Sequence, residues 1–409
     1  MTDVWPTKLL AEVCDVFVDG DWVETKDQSP DGIRLVQTGN IGQGVYKERA
    51  EKARYISADT FKRLRCTEIF EGDCLISRLP EPVGRSCLLP ASDKRMITAV
   101  DCTIARFKRE QVLPEFFNYL SRSLGYLRAV DAQTTGTTRK RISRSRLGQT
   151  TIPVPPLDEQ ERIVGTLDEA FEGIATAEAN AEKSLRNARA LLSRHLQIVF
   201  ARGAREWPTS VLGDLYDITS SKRVFKSDWK RAGVPFYRAR EIVRLAKQGF
   251  VDNELFVSEA MFDEYSTKYG APQAGDIMVT GVGTLGVCYV VKKQDRFYFK
   301  DGNIIWLRKK SNVDSRFVEY AFRSDFLRRQ IDESAGATVG TYTIIKAKNT
   351  QIPIPSLAQQ KQIAGELDAL VAETGRLEGV FRRKLAALDE LTQSLLNEAF
   401  SGRLTKNAA

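Results

Sequence analysis

The sequence predicts an α+β protein with a pseudo-two-fold internal repeat: two tandem α+β domains separated by two long helices that pair as an antiparallel coiled coil. Three observations predict it. Ile152-Pro153-Val154-Pro155-Pro156-Leu157 returns 200 residues later as Ile352-Pro353-Ile354-Pro355-Ser356-Leu357, and from Ile152 to Asp168 nine of seventeen residues match the second copy without a gap. After each proline entrance, apolar or small side chains recur at helical steps of three and four. Before each entrance, short β-rich runs alternate with turn residues. The expected boundaries are a first domain over 1–155, a central long helix over 156–203, a second domain over 204–355 and a C-terminal long helix over 356–405.

Each half opens alike, with Trp5-Pro6-Thr7 before Leu10 and Val13, and Trp207-Pro208-Thr209 before Leu212 and Leu215. Strand entries follow as Gly72-Asp73 before Cys74-Leu75-Ile76, and as Gly275-Asp276 before Ile277-Met278-Val279. Short helices with aromatic anchors are expected over Phe116–Ser123 and Phe317–Ser324. The first long stripe is Ile163, Leu167, Ala170, Ile174, Ala177, Ala181, Leu185 and Ala188; the second holds Ile363, Leu367, Leu370, Thr374, Leu377, Phe381, Leu385 and Leu388. Prolines suit the helix starts, and Gly203 and Gly402 stand where C-terminal glycines are expected. A helix of some 45 residues would be about 65 Å long, too long to bury its stripe on one small domain. Two such helices cover each other. The complete domain between them lets the chain return, which makes antiparallel pairing economical, and small residues on one stripe face bulkier ones on the other.

Composition narrows the function classes. With 409 residues and 42% hydrophobic content the chain is folded globular material. Met1–Leu10 does not read as a targeting leader and no later run approaches a membrane span, so a cytoplasmic protein is expected. The six cysteines lack a C-x-x-C pair and His195 is the only histidine, which leaves little material for a metal site or histidine catalysis. Gly281-x-Gly283-x-x-Gly286 formally matches a dinucleotide fingerprint, but a β run follows it where a helix should open, so a hairpin between strands is expected. No phosphate-binding G-x-x-x-x-G-K-[ST] loop and no Asn/Asp-Pro-Pro-aromatic methyltransferase signature is present. No cofactor is expected for this chain.

Charge points to a polyanion. The segments 156–203 and 356–405 carry −2 and −1, so almost all of the +8 net charge, about +10 before those are counted, lies in the two domains. The densest cluster, Arg139-Lys140-Arg141-Ile142-Ser143-Arg144-Ser145-Arg146, follows a Thr/Gly loop ending at Thr138; hydroxyls and guanidinium groups are the donors that phosphates and guanine edges need. Its counterpart keeps the Gly/Thr loop with Thr338 and Tyr342 but delays the charge to Lys346. A second surface is Gln37 and Asn40 in the first half with Arg238 and Arg240 in the second, residue types used to read adenine and guanine. Arg78 and Arg85 flank the turn equivalent to Thr280 through Gly286. A solvated basic turn, or structural salt bridges, would use the same residues.

Taken together, the duplicated Ile-Pro-x-Pro-x-Leu-x-x-Gln opening of a long helix, the paired Gly-Asp strand entries and the domain-helix order resemble the specificity (S) subunit of type I restriction-modification systems over essentially the whole chain. The second copy departs from the family's habit in having Ala358-Gln359 before Gln360. The resemblance implies two target-recognition domains, each reading one half of an interrupted double-stranded DNA site, with a helix pair that fixes their spacing and docks two methyltransferase (M) subunits and, in the full enzyme, restriction (R) subunits. SAM, ATP and magnesium would belong to those partners, and the chain itself would be non-catalytic. A structural coiled-coil adaptor with protein-binding ends, or a self-sufficient DNA methyltransferase or nuclease, are the alternatives.

Overall fold

The computed structural model describes residues 5–136, 140–335 and 340–401. It divides into two compact units: residues 1–181 with 383–409, and residues 182–382. Each unit thus holds one domain together with part of both long helices.

In the first unit the central sheet is antiparallel, in the order Cys14–Asp19, Cys102–Phe107, Cys74–Ser77, Ser86–Leu88. A second sheet runs Tyr55–Ile56, Ile33–Val36, Met96–Thr98, Glu68–Ile69, with Ile33–Val36 parallel to Met96–Thr98. Successive side chains of a strand face opposite ways. Cys74 and Ile76 therefore enter the core shared with the helices, while Leu75 enters a separate core with Val36, Ile69 and Met96 of the second sheet. A strand covered on both faces must be apolar throughout, and this explains why Cys74-Leu75-Ile76 shows no polar alternation.

The second unit repeats the design. Its antiparallel sheet is ordered Tyr216–Thr219, Ile304–Lys309, Ile277–Thr280, Cys288–Val290. Ile277 and Val279 face the helical core, and Met278 faces a core with Phe299 and Trp306. The Gly281–Gly286 stretch is the hairpin between paired strands, as its sequence context predicts, with Ile277 opposite Val290.

The two repeated motifs of each half meet in space. Thr7–Leu9 pairs antiparallel with Thr151–Pro153, Thr7 opposite Pro153; Thr209–Val211 pairs with Gln351–Pro353, Thr209 opposite Pro353. The Trp-Pro-Thr opening thus closes each domain against its own proline entrance. The repeated glutamine is a clamp at the same place. Gln160 is fully buried; its Nε2 donates to the carbonyls of Gln111 and Pro155, both at 2.8 Å, and its Oε1 accepts from Leu113 N at 2.9 Å. Gln360 donates to the Pro355 carbonyl at 2.8 Å and accepts from Asp314 N at 2.9 Å. Leu113 and Asp314 each precede a short helix, Pro114–Leu120 and Ser315–Arg323. One buried amide therefore ties the start of a long helix to the start of the next-packed short one.

The long helices run Leu157–Glu206 and Leu357–Phe400. Their antiparallel sense shows within each unit: in the first, Ile163 and Leu167 share a core with Leu396 and Ala399, and in the second, Leu196 and Phe200 share one with Ala364 and Leu367. Arg189 also pairs with Glu378 at 3.4 Å. Along the stripe, the small Ala181 and Ala188 are buried, whereas Leu377, Phe381, Leu385 and Leu388 keep part of their surface. One expectation is corrected. The first long helix does not stop at Gly203 but continues to Glu206; the glycine serves packing instead, since a β-carbon at 203 would stand 2.3 Å from the Trp207 ring. Gly402 lies outside the described residues.

Candidate nucleic-acid interface

In the first domain, buried polar side chains build the frame on which the exposed ones stand. Arg85 fills the loop that joins Cys74–Ser77 to Ser86–Leu88. Its Nε donates to the Ile41 carbonyl at 2.7 Å, Nη1 to those of Leu79 and Pro82 at 2.7 and 3.0 Å, and Nη2 to that of Thr38 at 2.9 Å. Arg78, also buried, donates to the carbonyls of Ile142 and Val100 and pairs with Asp19 at 3.1 Å. Asn40 is buried too, its Oδ1 accepting from Gln37 N at 3.0 Å and its Nδ2 donating to the Lys47 carbonyl at 2.9 Å. The expectation that Arg78, Arg85 and Asn40 contact DNA is therefore corrected: the three side chains are buried, and their donors are turned to backbone carbonyls of the domain and, for Arg78, to Asp19, bonds that cost more to break than an exposed contact returns.

These staples bring the predicted segments together. Arg85 joins the Thr38–Ile41 turn to the 78–85 loop, and Ile142 N bonds to the Arg78 carbonyl at 3.2 Å, which joins that loop to the basic cluster. Lys140 pairs with Asp131 at 2.7 Å, and Arg141 with Asp101 at 2.7 Å; both cations are about half exposed. An exposed pair such as Lys140–Asp131 is worth about 0–1 kcal/mol, so a phosphate can replace its carboxylate. Arg144 is exposed at the start of the helix Arg144–Gly148 and has no ion pair among the described residues. Thr138 and Arg139 lie outside the described residues. Gln37 is half-buried on the wall of a polar cavity of about 530 Å³ shared with Arg49, Lys52 and Arg54. Sequence reading missed those three cations, because Glu48 and Glu51 interleave with them and dilute the local charge.

The second domain differs. Arg238 is held by Glu241 at 3.1 Å, and its backbone N donates to the same carboxylate. Arg240 shares Glu241 and also reaches Glu254 at 2.9 Å. Burial works to raise the Glu241 carboxyl, but the two arginines hold it below its usual range. Arg238 is thus partly buried against the acid it pairs with, whereas Arg240 keeps a more exposed edge. It lies on the helix Ala239–Gln248, whose Ile242 and Leu245 are buried and whose Arg240, Arg244 and Lys247 face solvent. The four-then-three spacing of these cations was the signal for Arg244 and Lys247.

Thr280 and Tyr342 are corrected as well. Thr280 is fully buried and its Oγ1 bonds within its own hairpin, accepting from Val287 N at 3.1 Å; the buried Tyr342 hydroxyl bonds Thr350 Oγ1 at 2.6 Å. Tyr342 N donates to the Gly281 carbonyl at 3.0 Å, the counterpart of the Ile142–Arg78 bond. Lys346 is exposed on the helix Ile344–Asn349, with Nζ 3.1 Å from the Thr341 carbonyl. Thr338 lies outside the described residues.

All six cysteines are buried free thiols. Burial pushes Cys14, Cys87 and Cys102 up to about 12, and Cys66 up to about 11, so they stay protonated and non-nucleophilic at neutral pH. Among the described residues no group of three or more His, Cys, Asp or Glu converges to hold a metal ion, and no helix is long and apolar enough to cross a membrane.

The model of the type I restriction modification DNA specificity domain matches residues 3–185 and again residues 204–382. A putative type I restriction enzyme specificity subunit of Haemophilus influenzae is 28% identical over 239 residues, 57% of this chain and 59% of that protein. The EcoBI specificity subunit of Escherichia coli is 24% identical over 69% of this chain and 64% of its own length. The chain thus spans about three fifths of these curated relatives. Among solved structures, a chain from a study of type I restriction-modification complex assembly and conformational transition is similar at a TM-score of 0.77, with 20% identity and 98% of both chains covered. The HsdS subunit of Thermoanaerobacter tengcongensis gives 0.61, also at 20% identity and 98% of both chains. With its two matched domains, the chain belongs to the type I restriction modification DNA specificity domain family.

Proposed function

We propose that this chain is the non-catalytic specificity subunit of a type I restriction-modification enzyme, working in the cytoplasm and reading a bipartite site on double-stranded DNA with one half-site per domain. The observation that carries the reading is the presence of two copies of one frame with different exposed donors. The first domain presents Lys140, Arg141 and Arg144, and the second presents Arg240, Arg244 and Lys346 on loops and helices that hang from matching strands. Cations at these edges supply salt-dependent affinity for the DNA backbone, and a few of them supply base discrimination. The long helices, with their repeated proline entrances, offer two equivalent platforms to two methyltransferase subunits, and restriction subunits join those. SAM, ATP and magnesium are handled by these partners. The protonated, buried thiols of this chain support a reader without a nucleophile of its own.

Co-purification with the methyltransferase encoded beside it, followed by methylome sequencing, is expected to give an asymmetric motif of two half-sites with an unread gap. A continuous motif, or an active partner with no motif, would refute the reading. Turnover by the purified chain with SAM or magnesium alone would replace it with an enzyme.

A further inference from the structure

The polar cavity of the first domain has features that neither the repeated frame nor the basic cluster explains. Two short turns, Thr38–Asn40 and Ala50–Lys52, form its walls. The first wall is fixed by the buried Asn40, which bonds both Gln37 N and the Lys47 carbonyl, and by Arg85, which bonds the Thr38 carbonyl. The second is fixed by Leu35 N on the Arg54 carbonyl at 2.8 Å and by Lys52 N on the Arg49 carbonyl at 3.0 Å. Three cations reach it within six residues, Arg49, Lys52 and Arg54, and none of them has an ion pair among the described residues. The nearby Glu48 is engaged by Arg34 at 3.5 Å, and Glu51 is exposed on the second turn. Arg49 lies directly over Gly39: a β-carbon there would stand 2.2 Å from Arg49 Nη1, so a side chain at 39 would push the guanidinium from its place against this turn.

Three cations without an ion pair among the described residues, gathered on a frame of backbone hydrogen bonds, make a place that draws an anion. Two guanidinium forks suit the oxygens of a phosphate, and Gln37 and Thr38 add neutral donors. None of the lining residues is aromatic, so a base would find no stacking surface. We infer that this cavity clamps a backbone phosphate of duplex DNA, with Arg49 and Arg54 as bidentate donors and Lys52 as a point charge. The inference rests on the DNA-reading role proposed above. The clamp fixes the register of the first domain on the duplex and carries no sequence information itself.

The test uses the full chain with its methyltransferase partner, a fluorescent duplex carrying the motif found by methylome sequencing, and a scrambled duplex, titrated over a range of salt. For the triple variant R49A/K52A/R54A, affinity for both duplexes is expected to fall by the same factor, about tenfold or more. The salt slope is expected to become shallower by about 1 for each phosphate left without its cation, with the methylated motif unchanged. The charge-conserving R49K/R54K is expected to keep the wild-type slope. Wild-type binding with no change in the triple variant would overturn the clamp, as would a loss in R49K/R54K as large as that of the triple variant. A changed base preference at one position would also overturn it, making the cavity a base-reading pocket. A wild-type complex that binds neither duplex would instead remove the DNA-reading role itself, and the clamp with it.

Discussion

The loop after Cys74–Ser77 and the loop after Ile277–Thr280 occupy the same place in their two sheets, yet they are held in different ways. Both end on a left-handed glycine packed against a branched side chain of a following helix, Gly84 against Val130 and Gly286 against Ile331. The next residue is Arg85 in the first domain and Val287 in the second. Arg85 pins its loop through four carbonyls, whereas the second loop is held by the smaller Thr280, whose Oγ1 donates to the Thr284 carbonyl and accepts from Val287 N, and by Arg328 from the following helix, which donates to the Leu285 carbonyl. The cavities that the loops line differ as well: the first sets Pro80, Pro82 and Val83 against Arg128, Asp131 and Lys140, and the second sets Val282 against Ile304 and Ile345. A shared frame can thus carry reading loops that are pinned independently, so the loops change without disturbing the strands.

The largest expected effect breaks that difference directly. Arg85→Ala removes four hydrogen bonds at once, leaving the Ile41 and Pro82 carbonyls without this donor while those of Leu79 and Thr38 keep only Ser77 Oγ and Ile41 N, and is expected to cost about 3 kcal/mol, with the amides of the 78–85 loop and the Thr38–Asn40 turn losing exchange protection together. Arg328→Ala removes one bond from a half-buried residue and is expected to cost about 1 kcal/mol, confined to the second domain. Denaturant titration with hydrogen exchange reads both. Equal costs would mean the two loops are pinned alike.

Gln160→Ala and Gln360→Ala test the sameness instead of the difference. Each empties a buried clamp, so each is expected to cost about 2 kcal/mol in its own half, Gln160 somewhat more because it makes three bonds where Gln360 makes two. A loss in only one half would show that the repeat is one of sequence and not of mechanics.

The repeated positions were the legible part of the molecule. Proline entrances, strand entries and helical stripe follow from local rules, and the same rules act twice. The recognition surface was legible only by region. Charge and residue type pick out Arg78, Arg85 and Asn40 as readily as Arg141 and Arg144, because the alphabet that contacts DNA is also the alphabet that satisfies buried carbonyls. Burial decides between the two uses, and it depends on the distant partners Thr38, Val100 and Ile142, which no local pattern reveals. Arg49, Lys52 and Arg54 were hidden for the converse reason: Glu48 and Glu51 dilute the local charge in sequence, while in the fold Glu48 is engaged by Arg34.

On DNA the two domains are expected to show separable losses. R141A/R144A is expected to weaken binding about tenfold and flatten its salt dependence, and R240A/R244A to do so about threefold, since Arg240 already shares two carboxylates. Fluorescence anisotropy on duplexes with either half-site scrambled would show which domain each pair serves. Losses that do not track half-sites would contradict independent reading heads.

The smallest effect is a difference in pH response between the domains. Asp21, half-buried just after the strand Cys14–Asp19, has its carboxyl raised by burial from 3.8 to about 6, although Thr67 N donates to it at 3.0 Å. The same stretch of the second half, Ser220–Arg223, holds no acid. A carboxyl raised in the folded state binds its proton more tightly there than in the unfolded chain. Its contribution is therefore most favourable below the unfolded value of 3.8 and is lost as pH rises through about 6. Asp21→Asn keeps an acceptor for Thr67 N and removes the ionisation. The variant is expected to match the wild type in acid and to exceed it in first-domain stability at neutral pH, with the second domain unaffected. Urea midpoints for each domain across this pH range read the effect. A wild-type first domain that gains stability through the window, or a variant that loses it at neutral pH, would show that hydrogen bonding to the ionised carboxylate outweighs its desolvation.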